Sequence, residues 1–297
     1  MVSPTISVII PAYNSAAYLE CAVKSAMEQT RPPHEILVVD DGSRDNTFQI
    51  AQAMPAPVRV IRKENGGPAS ARNLAARQAT GDWLAFLDAD DAWLPAKLER
   101  QMQVAQTRAD LVHCLWRTTN ETPDLITFAD LWRRNYIATS SVLLRRDVFW
   151  QAGAFDEDRE IVGLEDYNLW LKLAHRGCQI RTLQEPLLSY TPAAGSLSRQ
   201  IQRFTTAELA NIRKLAGEFK LDTGIVEAKR AAILDEYGRE SLYIRDLDLA
   251  RDYLRKSWQE EFTGTRMAWW ALSMIPAGAW KLLDRMRHRV AASGAAL

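Results

Sequence analysis

Cysteine is scarce in this 297-residue chain. Cys21, Cys114 and Cys178 are odd in number, widely separated and never arranged as Cys-x-x-Cys. That pattern excludes a disulfide framework or a cysteine zinc site and predicts three buried thiols in a reducing compartment. Net charge is absent as well. The 37 basic side chains balance 37 acidic ones, which argues against nucleic acid as the principal partner. No basic segment followed by an apolar stretch opens the chain, so no secretory signal is expected. The longest mostly apolar run, Met267 to Trp280, is interrupted by Pro276 and too short to cross a bilayer. These absences together predict a cytoplasmic protein. What is plentiful is apolar surface: 47% of residues, enough for a full core and too many for a disordered chain.

Ile6-Ser7-Val8-Ile9-Ile10 is a short apolar run checked by Pro11, the mark of a buried first strand. Leu19, Ala22, Val23, Ala26 and Met27 recur at helical spacing and predict an amphipathic helix ending near Thr30. Strands are expected at Glu35 to Val39, Val58 to Ile61 and Trp83 to Asp88, with a short helix from Asn46 to Met54. Gly66-Gly67-Pro68 breaks the chain and opens another helix, with the proline suited to its first turn. Strand and helix alternate four times, which favours a doubly wound parallel α/β sheet. Further on, a strand is expected from Ala138 to Leu144, and helices at Arg146 to Ala152 and Leu164 to Ala174. Past Phe204 strand patterns cease, and Ala207 to Phe262 reads as two or three helices. The expected division is a catalytic domain at 1–204 and a helical region at 205–297.

Two strand ends carry acids: Asp40 and Asp41 after the second strand, and Asp88, Asp90 and Asp91 after the fourth. The carboxyl ends of parallel strands open on the ligand crevice, so these clusters are expected to converge there. Carboxylates that close repel unless a cation holds them, and a hard divalent ion bound to phosphates answers that need. The alternative is an acidic turn capping the next helix.

Five segments occur in the order typical of glycosyltransferase family 2. They are Val8-Ile9-Ile10-Pro11-Ala12-Tyr13-Asn14, Val38-Val39-Asp40-Asp41-Gly42-Ser43, Gly66-Gly67-Pro68-Ala69-Ser70-Ala71-Arg72-Asn73, Phe86-Leu87-Asp88-Ala89-Asp90-Asp91 and Leu164-Glu165-Asp166-Tyr167. Over its first two hundred residues the chain resembles an inverting nucleotide-sugar transferase of the GT-A type. The resemblance implies a mixed, Rossmann-like sheet flanked by helices, a nucleotide-sugar donor such as a UDP-sugar, and Mn²⁺ or Mg²⁺ as cofactor. It implies that Pro11, Tyr13, Asn14, Asp40, Asp41, Gly67 and Arg72 form the donor site. Tyr13 would face the nucleobase, although a packed tyrosine needs no such role. Asp90 is implied as metal ligand, with Asp88 touching ribose or metal, and Asp166 as the base that deprotonates the acceptor, with Glu165 orienting it or capping the helix. The acceptor would be a glycan or a lipid-linked molecule.

Two other classes compete. A sugar-nucleotide pyrophosphorylase would need a basic, glycine-rich loop after the first strand, and Ala12 to Ala17 offers none. A nucleotide-sugar-binding protein without catalysis would have no use for Asp88, Asp90 and Asp166 together. One departure from the family pattern lies in Tyr190 to Ser198, where Ala193 stands at the usual histidine and Arg199 is a candidate substitute. In the tail, Trp280, Leu283, Met286 and Val290 share one helical face, while Lys281, Arg285 and Arg289 share another. With Trp269 and Trp270 before them, these residues predict contact with a membrane surface, or else a packed helix with a solvated basic side.

Overall fold

The computed structural model describes residues 3–119, 121–189 and 200–276. The chain divides into two compact units, Met1–Ser196 and Leu197–Leu297. The first opens with alternating elements: β1 (Ile6–Ala12), α1 (Leu19–Met27), β2 (Glu35–Asp40), α2 (Thr47–Gln52), β3 (Val58–Arg62), α3 (Pro68–Gln78) and β4 (Trp83–Phe86). There follow β5 (Ala92–Trp93), α4 (Lys97–Ala105), β6 (Leu111–Leu115), β7 (Leu125–Ile126), α5 (Phe128–Arg133), β8 (Val142–Arg145), α6 (Arg146–Gln151), α7 (Glu165–His175), β9 (Ile180–Pro186) and β10 (Leu188–Ser189).

Among the described residues an eight-stranded sheet runs in the order β3-β2-β1-β4-β8-β6-β9-β7. The first four strands are mutually parallel, as their alternation with helices requires. The all-parallel expectation stops there, because β8 lies antiparallel between β4 and β6. Two reversals restore the original direction, so β6 runs parallel to β4. Its carboxyl end therefore opens on the same edge of the sheet as the acids after β4. That mixed sheet is the one the family resemblance implies.

Period-two alternation places the core. Ile6, Val8, Ile10 and Ala12 of β1 pack with Leu19, Ala22, Val23 and Ala26 of α1, and Trp83, Ala85 and Leu87 join the same cluster. Phe86 points the other way, with its ring 5.8 Å from Phe149 and 5.1 Å from Phe155. β2 is buried along its whole length, as an interior parallel strand must be. Cys114 is buried and Cys178 partly so, but Cys21 is exposed, which corrects the expectation of three buried thiols. The apolar stripe of α1 runs through residues 19, 22, 23 and 26, and position 21 falls off it.

The strand expected from Ala138 begins only at Val142, because Thr139–Ser141 form a 3-10 turn. Both the amide and the hydroxyl of Ser141 donate to the carbonyl of Ala138. Hydroxyl side chains offer the backbone such local bonds in competition with a strand ladder.

The second unit contains α8 (Ile201–Phe219), α9 (Thr223–Tyr243), α10 (Leu247–Glu260) and α11 (Gly264–Ser273). Trp269 and Trp270 of α11 pack against Leu242, Ala250 and Leu254, and the Trp258 and Trp270 rings lie 5.7 Å apart. These two partly buried tryptophans pack against the helical core. Among the described residues no helix is long and apolar enough to cross a membrane. The apolar and basic faces beyond Pro276 lie outside the described residues.

Candidate active site

Parallel register aligns the first two motifs. Ala12 at the end of β1 is opposite Asp40 at the end of β2, and the Asp41 amide donates to the Ala12 carbonyl at 2.8 Å. Pro11 is partly exposed, and the Tyr13 ring is 47% exposed just beyond the strand. Asn14 sits in the left-handed region at φ 50°, where asparagine is tolerated. Its amide donates to Ser43 Oγ at 2.9 Å and its Oδ1 accepts from the Arg44 amide at 2.9 Å, tying the two strand-end loops together. Asp40 is wholly enclosed. Its carboxylate accepts from the Ser43 amide and faces Arg62 Nε at 3.1 Å. It shapes the turn from within, through the Ser43 amide.

Asp41 organises the glycine loop. Its Oδ1 accepts from Lys63 Nζ at 2.7 Å and the Gly66 amide at 3.0 Å, and its Oδ2 accepts from the Gly67 amide at 2.8 Å. A carboxylate has about four acceptor positions, so one remains on Oδ2 for a ligand. Gly67 holds φ +90°, a conformation other residues adopt only with strain, and this sets the loop into Pro68 and α3. Buried Ala69, Ala71, Ala75 and Ala76 let α3 lie close against β1 and β2.

One turn into α3, Arg72 is buried and joins three elements. Its guanidinium contacts Asp88 Oδ1 at 2.6 Å and Glu165 Oε1 at 2.8 Å and lies 5.5 Å from the Phe155 ring. Burial alone would lower its pKa, but Asp88 and Glu165 overcome that and hold it above the usual arginine value. Neighbouring Asn73 exchanges bonds with the Phe155 backbone at 2.8 and 3.1 Å, fixing the segment that leads to α7. Glu165 is buried, and its second oxygen accepts from the Gly163 amide at 2.7 Å. Held by Arg72 on one oxygen and the Gly163 amide on the other, Glu165 orients the first turn of α7 and makes no capping bond to its own helix.

Asp88 is 33% exposed beside this bridge, and its amide donates to Ser140 Oγ at 3.0 Å. Burial, and then the charge of Asp88, push the Asp90 carboxyl upward. A cation between the two would relieve that repulsion. Among the described residues no group of three or more His, Cys, Asp or Glu side chains could hold a metal alone. Asp88 and Asp90 could hold an ion only where other oxygens complete its shell, as nucleotide phosphates do for Mg²⁺.

Asp166 is partly exposed at the start of α7. Thr139 Oγ1 donates to its Oδ2 at 2.7 Å, and the Tyr167 amide donates to its Oδ1 at 2.6 Å. Burial, followed by the negative charge of Glu165, raises its carboxyl to about 6. A carboxyl in that range is a stronger base than an ordinary aspartate and remains ionised at neutral pH.

The Thr139–Ser141 turn, which touches both Asp88 and Asp166, has no signature in the sequence. Behind it stands a buried network equally invisible there. Trp93 Nε1 donates to the Ser140 carbonyl at 2.7 Å, and Gln101 Nε2 donates to the Ser141 carbonyl at 2.8 Å. Lys97 Nζ donates to Gln101 Oε1 at 2.9 Å and lies 4.0 Å from the centre of the Trp93 ring. Burial lowers the Lys97 ammonium to about 8. Ala193 and Arg199 lie outside the described residues.

Comparison with known proteins agrees with this geometry. TuaG of Bacillus subtilis (strain 168), a glycosyltransferase assigned to teichuronic acid biosynthesis, is 31% identical over 214 residues, covering 66% of this chain and 82% of that protein. An uncharacterized glycosyltransferase of Rickettsia prowazekii is 32% identical over 57% of this chain, which spans only 58% of its length. Among solved structures, S. aureus TarS 1–349 in complex with UDP-GlcNAc matches with a TM-score of 0.64 at 19% identity, covering 85% of this chain and 81% of that one. The mannosyltransferase PcManGT of Pyrobaculum calidifontis, in complex with GDP-Man and Mn²⁺, matches with a TM-score of 0.59 at 21% identity, over 92% of this chain and 84% of that one. The model of glycosyl transferase family 2 matches residues 7–155, from β1 through Arg72 and the strand-end acids, and the chain belongs to that family.

Proposed function

We propose that this chain transfers a sugar from a UDP-sugar to a hydroxyl of a glycan or lipid-linked acceptor, with inversion at the anomeric carbon. The observation that carries the reading is the Asp88–Arg72–Glu165 bridge, which ties the strand-end acids to the helix bearing Asp166. Tyr13 offers an aromatic face to the base, and the free acceptor position on Asp41 discriminates its imide hydrogen. Asp88 and Asp90 would hold Mn²⁺ or Mg²⁺. When bound, that ion supplies charge neutralisation for the leaving group. Asp166 takes the acceptor proton, held in orientation by Thr139. UDP rather than GDP follows the family resemblance, since a strand-end carboxylate can accept an N–H from either base; TarS binds UDP-GlcNAc and PcManGT binds GDP-Man. The likeness to TuaG supports a place in cell-surface glycan assembly.

Calorimetry with UDP tests the metal assignment. Wild-type protein should bind UDP more tightly with Mn²⁺ than without, and Asp90→Ala should lose that increment while keeping its fold. An unchanged Mn²⁺ dependence in the variant would remove Asp90 as a ligand.

We further propose that the residues beyond Pro276 dock the enzyme on an anionic membrane surface. Lys281, Arg285 and Arg289 would each contribute on the order of 1 kcal/mol, weakened by salt, while apolar insertion adds a salt-insensitive part. Because α11 belongs to the helical core, the informative truncation follows Pro276 and spares it. Sedimentation with phosphatidylglycerol vesicles should be lost on truncation, and equal partitioning of both forms would dismiss the tail.

A further inference from the structure

A second cleft lies at the carboxyl end of β6. It has a volume of about 150 Å³, and its walls include Trp116, Arg117, Glu121, Arg134, Asn135 and Tyr136. Since β6 runs parallel to β4, the cleft opens on the edge of the sheet that carries Asp88. It is also tied by chain to the base: Tyr136 precedes Thr139 by three residues, a reach of no more than about 11 Å. Thr139 Oγ1 touches Asp166 at 2.7 Å. A molecule in this cleft is therefore on the same edge of the sheet as the acids after β4 and near the turn that holds the proposed base, on the β6 side, away from the β1 and β2 loops that carry Tyr13 and Asp41.

The lining has two kinds of surface. Trp116 is 46% exposed and offers an aromatic face that packs on the C–H face of a sugar ring. The Arg117 guanidinium lies 4.6 Å from the Trp116 ring centre, and that of Arg134 lies 5.7 Å from Tyr136. Stacking on aromatic rings holds guanidinium planes in place and leaves their edges to donate, a geometry suited to carboxylate or phosphate oxygens. Arg134 is paired with Glu121 at 3.0 Å, but both side chains are more than half exposed, and such pairs exchange readily. Two arginines against one glutamate leave the lining positive.

We infer that this cleft is an acceptor subsite for a sugar unit bearing an anionic group, with Trp116 stacking on the ring and Arg117 and Arg134 holding the anion. The inference rests on the transferase reading above for the word acceptor, and on the cleft alone for the ligand class. Binding measured by ligand-observed NMR tests it on the full chain, with methyl glucuronide, glucose 6-phosphate and neutral methyl glucoside as probes. Both anionic probes, or whichever the cleft prefers, should bind about 10-fold or more tighter than the neutral one, the scale of hydrogen bonds to charged groups. Arg117→Gln with Arg134→Gln should abolish that preference. Trp116→Ala should weaken all probes together, and UDP affinity should be unchanged in every variant. Equal binding of charged and neutral probes, no binding of any, or a preference that survives the arginine substitutions would overturn the subsite. Failure of UDP to bind the wild type would instead remove the donor reading, which the probe preference does not depend on.

Discussion

Replacing Asp166 by asparagine is expected to lower sugar transfer by about 10²-fold or more, the usual reach of a lost general base. UDP affinity should hardly change, because Asp166 serves the acceptor side. Asparagine keeps the shape and can accept from the Tyr167 amide, so the loss reports basicity and not collapse. The wild-type rate should climb as pH rises through about 6, where burial and Glu165 place the ionisation of Asp166. Asparagine should abolish that limb. Stability moves the opposite way. The folded carboxyl keeps its proton up to about 6 and an unfolded one only to about 3.8, so the folded state binds more protons between those values. Stability therefore falls as pH rises through that window, and the cost is fully present above it. Asp166→Asn should thus be more stable than wild type at neutral pH, by on the order of 1 kcal/mol. A rate that is near normal, or a pH limb that persists in the variant, would take the proton transfer away from Asp166.

Arg72→Met is expected to be the most damaging substitution for the fold. Methionine fills much of the same space, but Asp88, Glu165 and Asp166 then face one another with no cation between them. Removing one partner of a buried ionic group costs about 3–5 kcal/mol, since the remaining charges stay desolvated. A further rise in the Asp166 pKa should accompany the loss, because Arg72 now pulls it down. Urea denaturation measures the first effect and the acid limb of the pH–rate profile the second. A loss under about 1 kcal/mol would mean that the carboxylates find other partners, and Arg72 would not be the centre of the site.

The parts of this site that could be read in the sequence are those with local causes. β2 and β4 announce themselves by apolar runs that end in acids, and Pro68 after Gly67 marks the start of α3. Parallel pairing then follows from the strand–helix alternation. What stayed hidden depends on distant pairing. Nothing local shows that β8 reverses between β4 and β6, so the common edge of β4 and β6 emerges only from the sheet. Nor do Thr139 and Ser140 differ from ordinary hydroxyl residues until the turn brings them to Asp166 and Asp88. Glu165 and Asp40 illustrate the reverse problem: a motif names the residue but not how deeply it is buried or which side chain it pairs with. That Trp269 and Trp270 pack on Leu242, Ala250 and Leu254 is likewise hidden, because an exposed and a packed aromatic look alike in one dimension.

The account stands on single displacement of the nucleotide, with Asp166 activating the attacking oxygen. ¹H NMR of the anomeric proton formed from an α-linked UDP-sugar, in the glycoside made by transfer or in the free sugar from slow hydrolysis with Mn²⁺, tests that claim most directly. The account expects a β-linked glycoside, or on hydrolysis a β anomer that appears first and mutarotates afterwards, with the signal lost in Asp166→Asn. An α anomer appearing first, or release undiminished in the variant, would contradict it.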